Sequence, residues 1–101
     1  MLPLRYPLNI LVSFHYAKAF PLNTYRDNGL RIIADSGAFS AESQGAEINL
    51  VEFAEWATNW RDCFAWVASL DVIGNAEASW ANYTSLRHGY GIDVVPTVLR
   101  R

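Results

Sequence analysis

Cysteine is almost absent from this chain: Cys63 is the only one among 101 residues. One thiol excludes an internal disulfide, and with it any zinc or iron–sulfur site built from several cysteines of the same chain. Lysine is just as scarce, with Lys18 alone. There is therefore no Walker-type lysine loop, and no G-x-G-x-x-G stands anywhere, so a nucleotide-binding P-loop is excluded. Charge is sparse: 18% of residues are charged, and ten acids against eight bases give a formal net charge of −2. That balance argues against a strongly basic nucleic-acid-binding domain, which carries a surplus of Arg and Lys, although it leaves local basic patches open. Long hydrophobic runs are missing too, none approaching the ~20 apolar residues of a membrane helix. The opening Met1-Leu2-Pro3-Leu4-Arg5-Tyr6-Pro7 lacks the basic segment and apolar core of a signal peptide. The expectation is a soluble, cytoplasmic domain with no membrane partner.

What the chain does have is apolar and aromatic material. Hydrophobic residues make up 51% and aromatics 14%, four of them Trp. This suits one small domain over residues 1–101 and argues against disorder. Cys63, inside Cys63-Phe64-Ala65-Trp66-Val67, reads as a packed residue rather than a reactive one. Trp56, Trp60 and Trp80 fall at core spacing on helical segments and Trp66 falls in a strand, so core packing is expected of all four.

Four short apolar runs read as strands: Asn9–Phe14, Arg31–Asp35 after the turn signal Asn28-Gly29, Cys63–Asp71, and Ile92–Val98. Their continuous apolarity suits strands buried on both faces, as in parallel sheets. Helices fill the gaps. Asn49 is placed to cap a helix with Glu52 at its third position, the spacing of a capping box. Leu50, Phe53, Ala54, Ala57 and Trp60 then form its apolar face, with Glu52, Glu55 and Asn59 toward water. Asn75 is placed to cap a second helix over Ala76–His88, whose apolar face is Trp80, Tyr83 and Leu86 and whose stop is Gly89. Tyr16–Asn28 is interrupted by Pro21 and reads as a short helix or a loop with one turn. The fold class is thus α/β, with parallel βα repeats of four strands and two to three helices. Two architectures fit: a small doubly wound sheet, or the first half of a (β/α)8 barrel, a full barrel needing roughly 250 residues.

In parallel α/β folds, functional side chains gather at the C-terminal ends of the strands. Here that rule selects His15 after the first strand, Asp35 at the end of the second and Asp71 at the end of the third. The loop after Asp35, Ser36-Gly37-Ala38-Phe39-Ser40-Ala41-Glu42-Ser43-Gln44-Gly45, is rich in small residues that let a ligand approach the backbone. The plain alternative is a turn needing Gly37 and Gly45 for positive φ. A carboxylate at such a place can act as acid or base, as a nucleophile, or as an acceptor of a ligand's N–H groups. For Asp71 the alternative is capping of loop backbone, and for His15 it is simple packing. One His and two carboxylates are also ligand-competent for a divalent metal, which would suit a metal-dependent hydrolase fragment. No closely spaced ligand pair supports that, and no metal or other cofactor is expected.

The segment Ala34-Asp35-Ser36-Gly37-Ala38-Phe39-Ser40-Ala41, taken with Leu70-Asp71-Val72-Ile73-Gly74, Asn82 and Val95-Pro96, resembles the tRNA-guanine transglycosylase superfamily. The closer likeness is to its phage and bacterial branch associated with 7-deazaguanine bases in DNA, and it spans about Ile10 to Val98. The resemblance implies a (β/α)8 barrel that exchanges guanine for a deazaguanine in a nucleic acid. It assigns Asp35 to proton transfer with the base, Ser36 and Gly37 to the loop floor, and Asp71, less directly, to accepting hydrogen bonds from the base's edge. His15 joins these as a substrate-binding candidate. Ala38 and Ser40 depart from the Gly and Gln usual in the tRNA enzymes, which moves the likeness toward the DNA branch. The family's nucleophilic aspartate, its zinc site where present, and the polar residue expected after Pro96-Thr97-Val98 find no match in this sequence. The expectation is a base-recognition half that is inactive alone. Its partners would be a guanine or 7-deazaguanine base, and DNA or tRNA only once a second half completes the barrel. Open sheet edges would drive self-association or binding of a complementary polypeptide. The non-catalytic alternative is a phage-type remnant or small interaction module whose helices cover both faces of the sheet.

Overall fold

The computed structural model describes residues 8–96. Four strands, β1 (Leu8–Ser13), β2 (Leu30–Asp35), β3 (Phe64–Ala68) and β4 (Val94–Val95), alternate with helices. These are α1 (Phe14–Ala17), α2 (Asn23–Asp27), α3 (Ala38–Ser43), α4 (Leu50–Asn59) and α5 (Ala76–Thr84), with a 3₁₀ turn at Arg61–Cys63 and a π turn at Ser85–Gly89. Five helices exceed the expected two to three because α1, α2 and α3 are single-turn pieces of four to six residues. Such pieces are too short for an apolar periodicity to declare itself. Pro21 separates α1 from α2, so the segment before Asn28 forms two turns instead of one.

The sheet is parallel throughout and runs in the order β1-β2-β3-β4. Parallel crossovers are right-handed, so a sequential order carries every connecting helix to the same side. A doubly wound sheet needs a reversal of strand order, and there is none here. Among the described residues helices accordingly cover one face only. On it, Val12, Ala34, Val67 and Val94 form a row across all four strands, with Ile32 beside them, and all five are buried. Phe53, Ala54, Trp56 and Ala57 of α4 close over this face, joined by Leu22, Cys63 and Leu86. Phe14, Phe53, Trp56 and Phe64 make an aromatic cluster with ring centroids 5.2–5.9 Å apart.

Among the described residues nothing covers the opposite face. Leu11, Ile33 and Trp66 lie in one row across it, and Val95 lies on the same face one pair further on. Leu11 is 70% exposed, Trp66 42% and Val95 43%, with Ile33 half-buried. Trp66 is therefore not the core residue its strand context suggests, and the cause is local. Phe64 pairs with Ile32 but Trp66 pairs with Ile33, so Ala65 is an extra residue in β3. Strict alternation would put Phe64 and Trp66 on one face. The bulge sends Phe64 under the helices and Trp66 to the open side.

Both longer helices are capped as their sequences require. Asn49 Oδ1 accepts from the Glu52 amide at 3.0 Å, and Asn75 Oδ1 from the Ala78 amide at 3.0 Å. The α4 face is buried as expected, with Leu50 and Trp60 at its half-buried margins. Along α5 and the π turn that follows it, Leu86 of the turn is buried in the core and half-buried Tyr83 of α5 packs against it. Trp80 is 63% exposed and stacks on Tyr83 at 5.0 Å, against the expectation of burial. Strand β3 is shorter than the apolar run Cys63–Asp71, because Cys63 closes the 3₁₀ turn and Ser69–Asp71 already belong to the following loop. The predicted fourth strand begins two residues late, and its last two residues lie outside the described ones. Cys63 is buried, as expected. Among the described residues no helix is long and apolar enough to cross a membrane.

Candidate functional site

The C-terminal ends of the parallel strands form one rim, and the polar residues singled out from the sequence stand on it. Asp35 closes β2 directly beside Ser13 of β1. Its Oδ2 accepts from the Gly37 amide at 3.2 Å, a short turn that fixes the loop leaving the strand. Ser36 is buried, its Oγ accepts from the Ala38 amide at 3.2 Å, and its carbonyl accepts from the His15 amide at 3.1 Å. The β1–α1 and β2–α3 loops are thus tied together. Gly37, at φ 79°, is the left-handed residue from which α3 starts. A Cβ there would overlap Ser13 Oγ and stand 2.7 Å from His15 Cβ. Glycine is required both by the backbone and by the closeness of the neighbouring loop. Gly45, at φ 72°, ends α3 in open surroundings.

His15 belongs to this part of the rim, though not as a partner of Asp35. Its Nε2 lies 2.8 Å from Gln44 Oε1, and Gln44 Nε2 donates to Tyr16 Oη at 2.8 Å. Since the amide oxygen only accepts, Nε2 carries the proton in this arrangement. Gln44 and Tyr16 were not marked by the sequence. A glutamine at the end of a six-residue helix has no pattern to distinguish it, and only the fold brings it to His15. Phe39, 71% exposed in the first turn of α3, is the other addition, an uncovered aromatic face four residues from Asp35.

Asp71 occupies a neighbouring part of the rim. It lines a pocket of about 370 Å³ with Ala38, Ile48, Leu70, Val72 and Asn82, and with two further carboxylates, Glu42 and Glu47. Asp71 is half-buried, lines the pocket, and makes no hydrogen bond or ion pair among the described residues. The loop that presents it is held from two sides. Asn82 Nδ2 of α5 donates to the Leu70 carbonyl at 3.2 Å, and Ser79 Oγ bonds the Val72 amide at 2.8 Å. The capping role considered for Asp71 is filled by these α5 side chains instead. Ala38 connects the two halves of the rim: it follows Gly37 in the Asp35 loop and lines the Asp71 pocket. His15, Asp35, Ser36 and Gly37 are drawn together, and Asp71 stands apart from them across Ala38.

The rim can accept hydrogen bonds more readily than it can donate them. Its charged groups beside the pocket are carboxylates, which accept only. Among the described residues no group of three or more His, Cys, Asp and Glu is arranged to hold a metal ion, so His15, Asp35 and Asp71 are not assembled as a ligand set. Compared with known proteins, the chain matches no protein-family model, no curated protein and no solved structure.

Proposed function

We propose that this chain is the base-recognition part of a base-exchange glycosyltransferase. It would bind guanine or a 7-deazaguanine at the C-terminal rim of its sheet, and would not complete the exchange alone. The observation that carries the reading is the Asp71 pocket: a carboxylate in the loop after β3, without a hydrogen-bond or ion-pair partner among the described residues, set among Ala38, Ile48, Leu70 and Val72 in a space large enough for a bicyclic base. Guanine's edge presents an N–H and an exocyclic amino group side by side, and a carboxylate, with its two acceptor oxygens, matches that pair of donors. The apolar lining suits the flat faces of the ring. Phe39 offers a further π surface at the rim.

Asp35 is the residue assigned to moving a proton to and from the base. Its backbone is fixed by pairing with Ser13, and its side chain is oriented by the Gly37 amide. The Glu42 and Glu47 carboxylates beside the pocket favour a free base over a phosphate-bearing nucleotide. A nucleic-acid backbone, DNA in preference to tRNA on the loop sequence, would therefore be held by surface other than this pocket. The resemblance at Asp35-Ser36-Gly37 and Leu70–Gly74 supports the same assignment of roles.

Calorimetric titration of the chain with 7-deazaguanine, and separately with guanosine 5′-monophosphate, tests the reading. Binding of the base but not of the nucleotide is expected, with Asp71→Asn weakening it about tenfold or more through loss of a charge-assisted pair. No binding of the base, or equal binding by Asp71→Asn, overturns it.

A further inference from the structure

We propose that the cleft beside the first half of β3 is a second binding site, and that its ligand is a free amino acid with an aromatic side chain. The cleft lies at the N-terminal end of β3 and β4, away from the rim that carries the Asp71 pocket. The inference goes beyond the base-exchange reading and does not rest on it.

The cleft exists because β4 begins only opposite Val67, so Phe64–Trp66 have no strand beside them on that side. The chain leading into β4 is held elsewhere. The Tyr90 amide donates to the Ser85 carbonyl at 3.0 Å and the Ile92 amide to the Leu86 carbonyl at 2.9 Å, both in the π turn. Tyr90–Asp93 is thereby tied to that turn instead of to β3. The gap between the two segments is about 370 Å³, at the small end of the ~300–1,000 Å³ range of ligand pockets. The extra residue at Ala65 splits Phe64 and Trp66 between the two faces of the sheet, so this edge presents an aromatic side chain on each. Tyr90, 42% exposed, adds a third ring from the facing wall.

Charge selects the ligand class. Arg61, Asp62 and Asp93 all line the cleft, so both signs are present. The side chains of Arg61 and Asp62 make no hydrogen bond or ion pair among the described residues. Asp93 accepts from Arg87 Nη1 through Oδ1 alone, at 2.9 Å. The Asp71 pocket differs in this respect, since its charged lining is carboxylate only. A ligand of one charge would match part of the set: an anion would meet two carboxylates, and a cation would meet the Arg61 guanidinium. An α-amino acid carries both charges on one carbon. Its carboxylate matches the planar fork of Arg61, and its ammonium matches Asp62 or the second oxygen of Asp93. An aromatic side chain then packs against the rings of Phe64, Trp66 and Tyr90.

Titration calorimetry of the full chain with L-phenylalanine, 2-phenylethylamine and 3-phenylpropionate tests the proposal, because the three share a ring and differ in charge. Phenylalanine is expected to bind, and the amine and the acid to bind about tenfold or more weakly, each having lost one charge-assisted contact. Arg61→Gln, at an exposed position, should weaken phenylalanine about tenfold and should not weaken the amine. Trp66→Ala should weaken both. Amide shift changes on adding phenylalanine should centre on Phe64–Trp66 and Tyr90–Ile92 and leave Leu70–Ile73 unmoved. No binding of phenylalanine, binding of the amine or the acid as tight as that of phenylalanine, or shifts centred on the Asp71 pocket overturns the proposal. The comparison of the three ligands on the unaltered chain decides the matter even where Trp66→Ala does not fold.

Discussion

Gly37→Ala is the substitution whose cost the structure defines most sharply. Two effects add at this position. The residue has φ 79°, and a non-glycine residue held in the left-handed region costs about 1–2 kcal/mol. The new methyl group would also overlap Ser13 Oγ and stand 2.7 Å from His15 Cβ. Forcing a methyl into packed surroundings costs a further ~1–3 kcal/mol. The sum, about 2–5 kcal/mol, is a large share of the ~5–15 kcal/mol expected for a domain of this size. It corresponds to a fall in Tm of roughly 10–30 °C. Gly45→Ala is the control. Its φ is 72° but no atom outside its immediate neighbours lies within 4 Å of a Cβ, so it carries the backbone cost alone, about 1–2 kcal/mol, partly offset by a stiffer unfolded chain. Ser13→Ala separates the contributions further. Ser13 Oγ is buried without a hydrogen-bond partner, so its loss alone should be close to neutral. Combined with Gly37→Ala it should restore part of the stability, the overlap with His15 remaining. Denaturant unfolding of the four variants measures all of this. If Gly37→Ala and Gly45→Ala fall within about 0.5 kcal/mol of each other, the close approach of the two loops at the rim is wrong.

The helix caps and the buried thiol give further predictions. Asn49→Ala should cost about 1 kcal/mol in global stability, since α4 carries the buried Phe53, Ala54, Trp56 and Ala57. Asn75→Ala removes the same kind of bond from α5, which buries none of its residues, so the loss should appear as faster amide exchange at Ala76–Ser79 more than as a lower denaturation midpoint. Burial pushes the Cys63 thiol above its ordinary range, Asp62 and Asp27 adding to the effect and Arg26 opposing it. Because the folded value lies above the unfolded one of about 8.5, this contribution to stability is intact at pH 7 and declines as pH rises past that value. Cys63→Ala should flatten that part of the alkaline decline, and the native thiol should react with a disulfide reagent only as fast as the chain opens. Rapid modification under native conditions would contradict its burial.

Much of this architecture is legible in the residues themselves. The strand-forming runs Asn9–Phe14 and Arg31–Asp35, which match β1 and β2 to within a residue at each end, and the caps at Asn49 and Asn75, are local signals, and local signals survive folding. The rim follows from them, because His15, Asp35 and Asp71 each come directly after an apolar run. What the residues do not declare is set by longer-range geometry. The sequential strand order puts all the helices on one side, and no single run carries that information. The extra residue at Ala65 separates Phe64 from Trp66, although both look equally fit for a core. Trp80 keeps the spacing of a buried face on a helix that has little to pack against. Gln44 reaches His15 across 29 positions of sequence. Asp71 lies apart from Asp35 because the β3 ladder stops at Ala68, leaving Ser69–Asp71 to form a loop under the control of Asn82 and Ser79.

The most direct test of the base-binding account is a nuclear magnetic resonance titration of the ¹⁵N-labelled chain with 7-deazaguanine. Shift changes confined to the amides of Leu70–Ile73, Ala38 and the Asp35–Gly37 turn, and absent in Asp71→Asn, are the predicted result. Shifts centred elsewhere on the molecule, or none at saturating base, would contradict it.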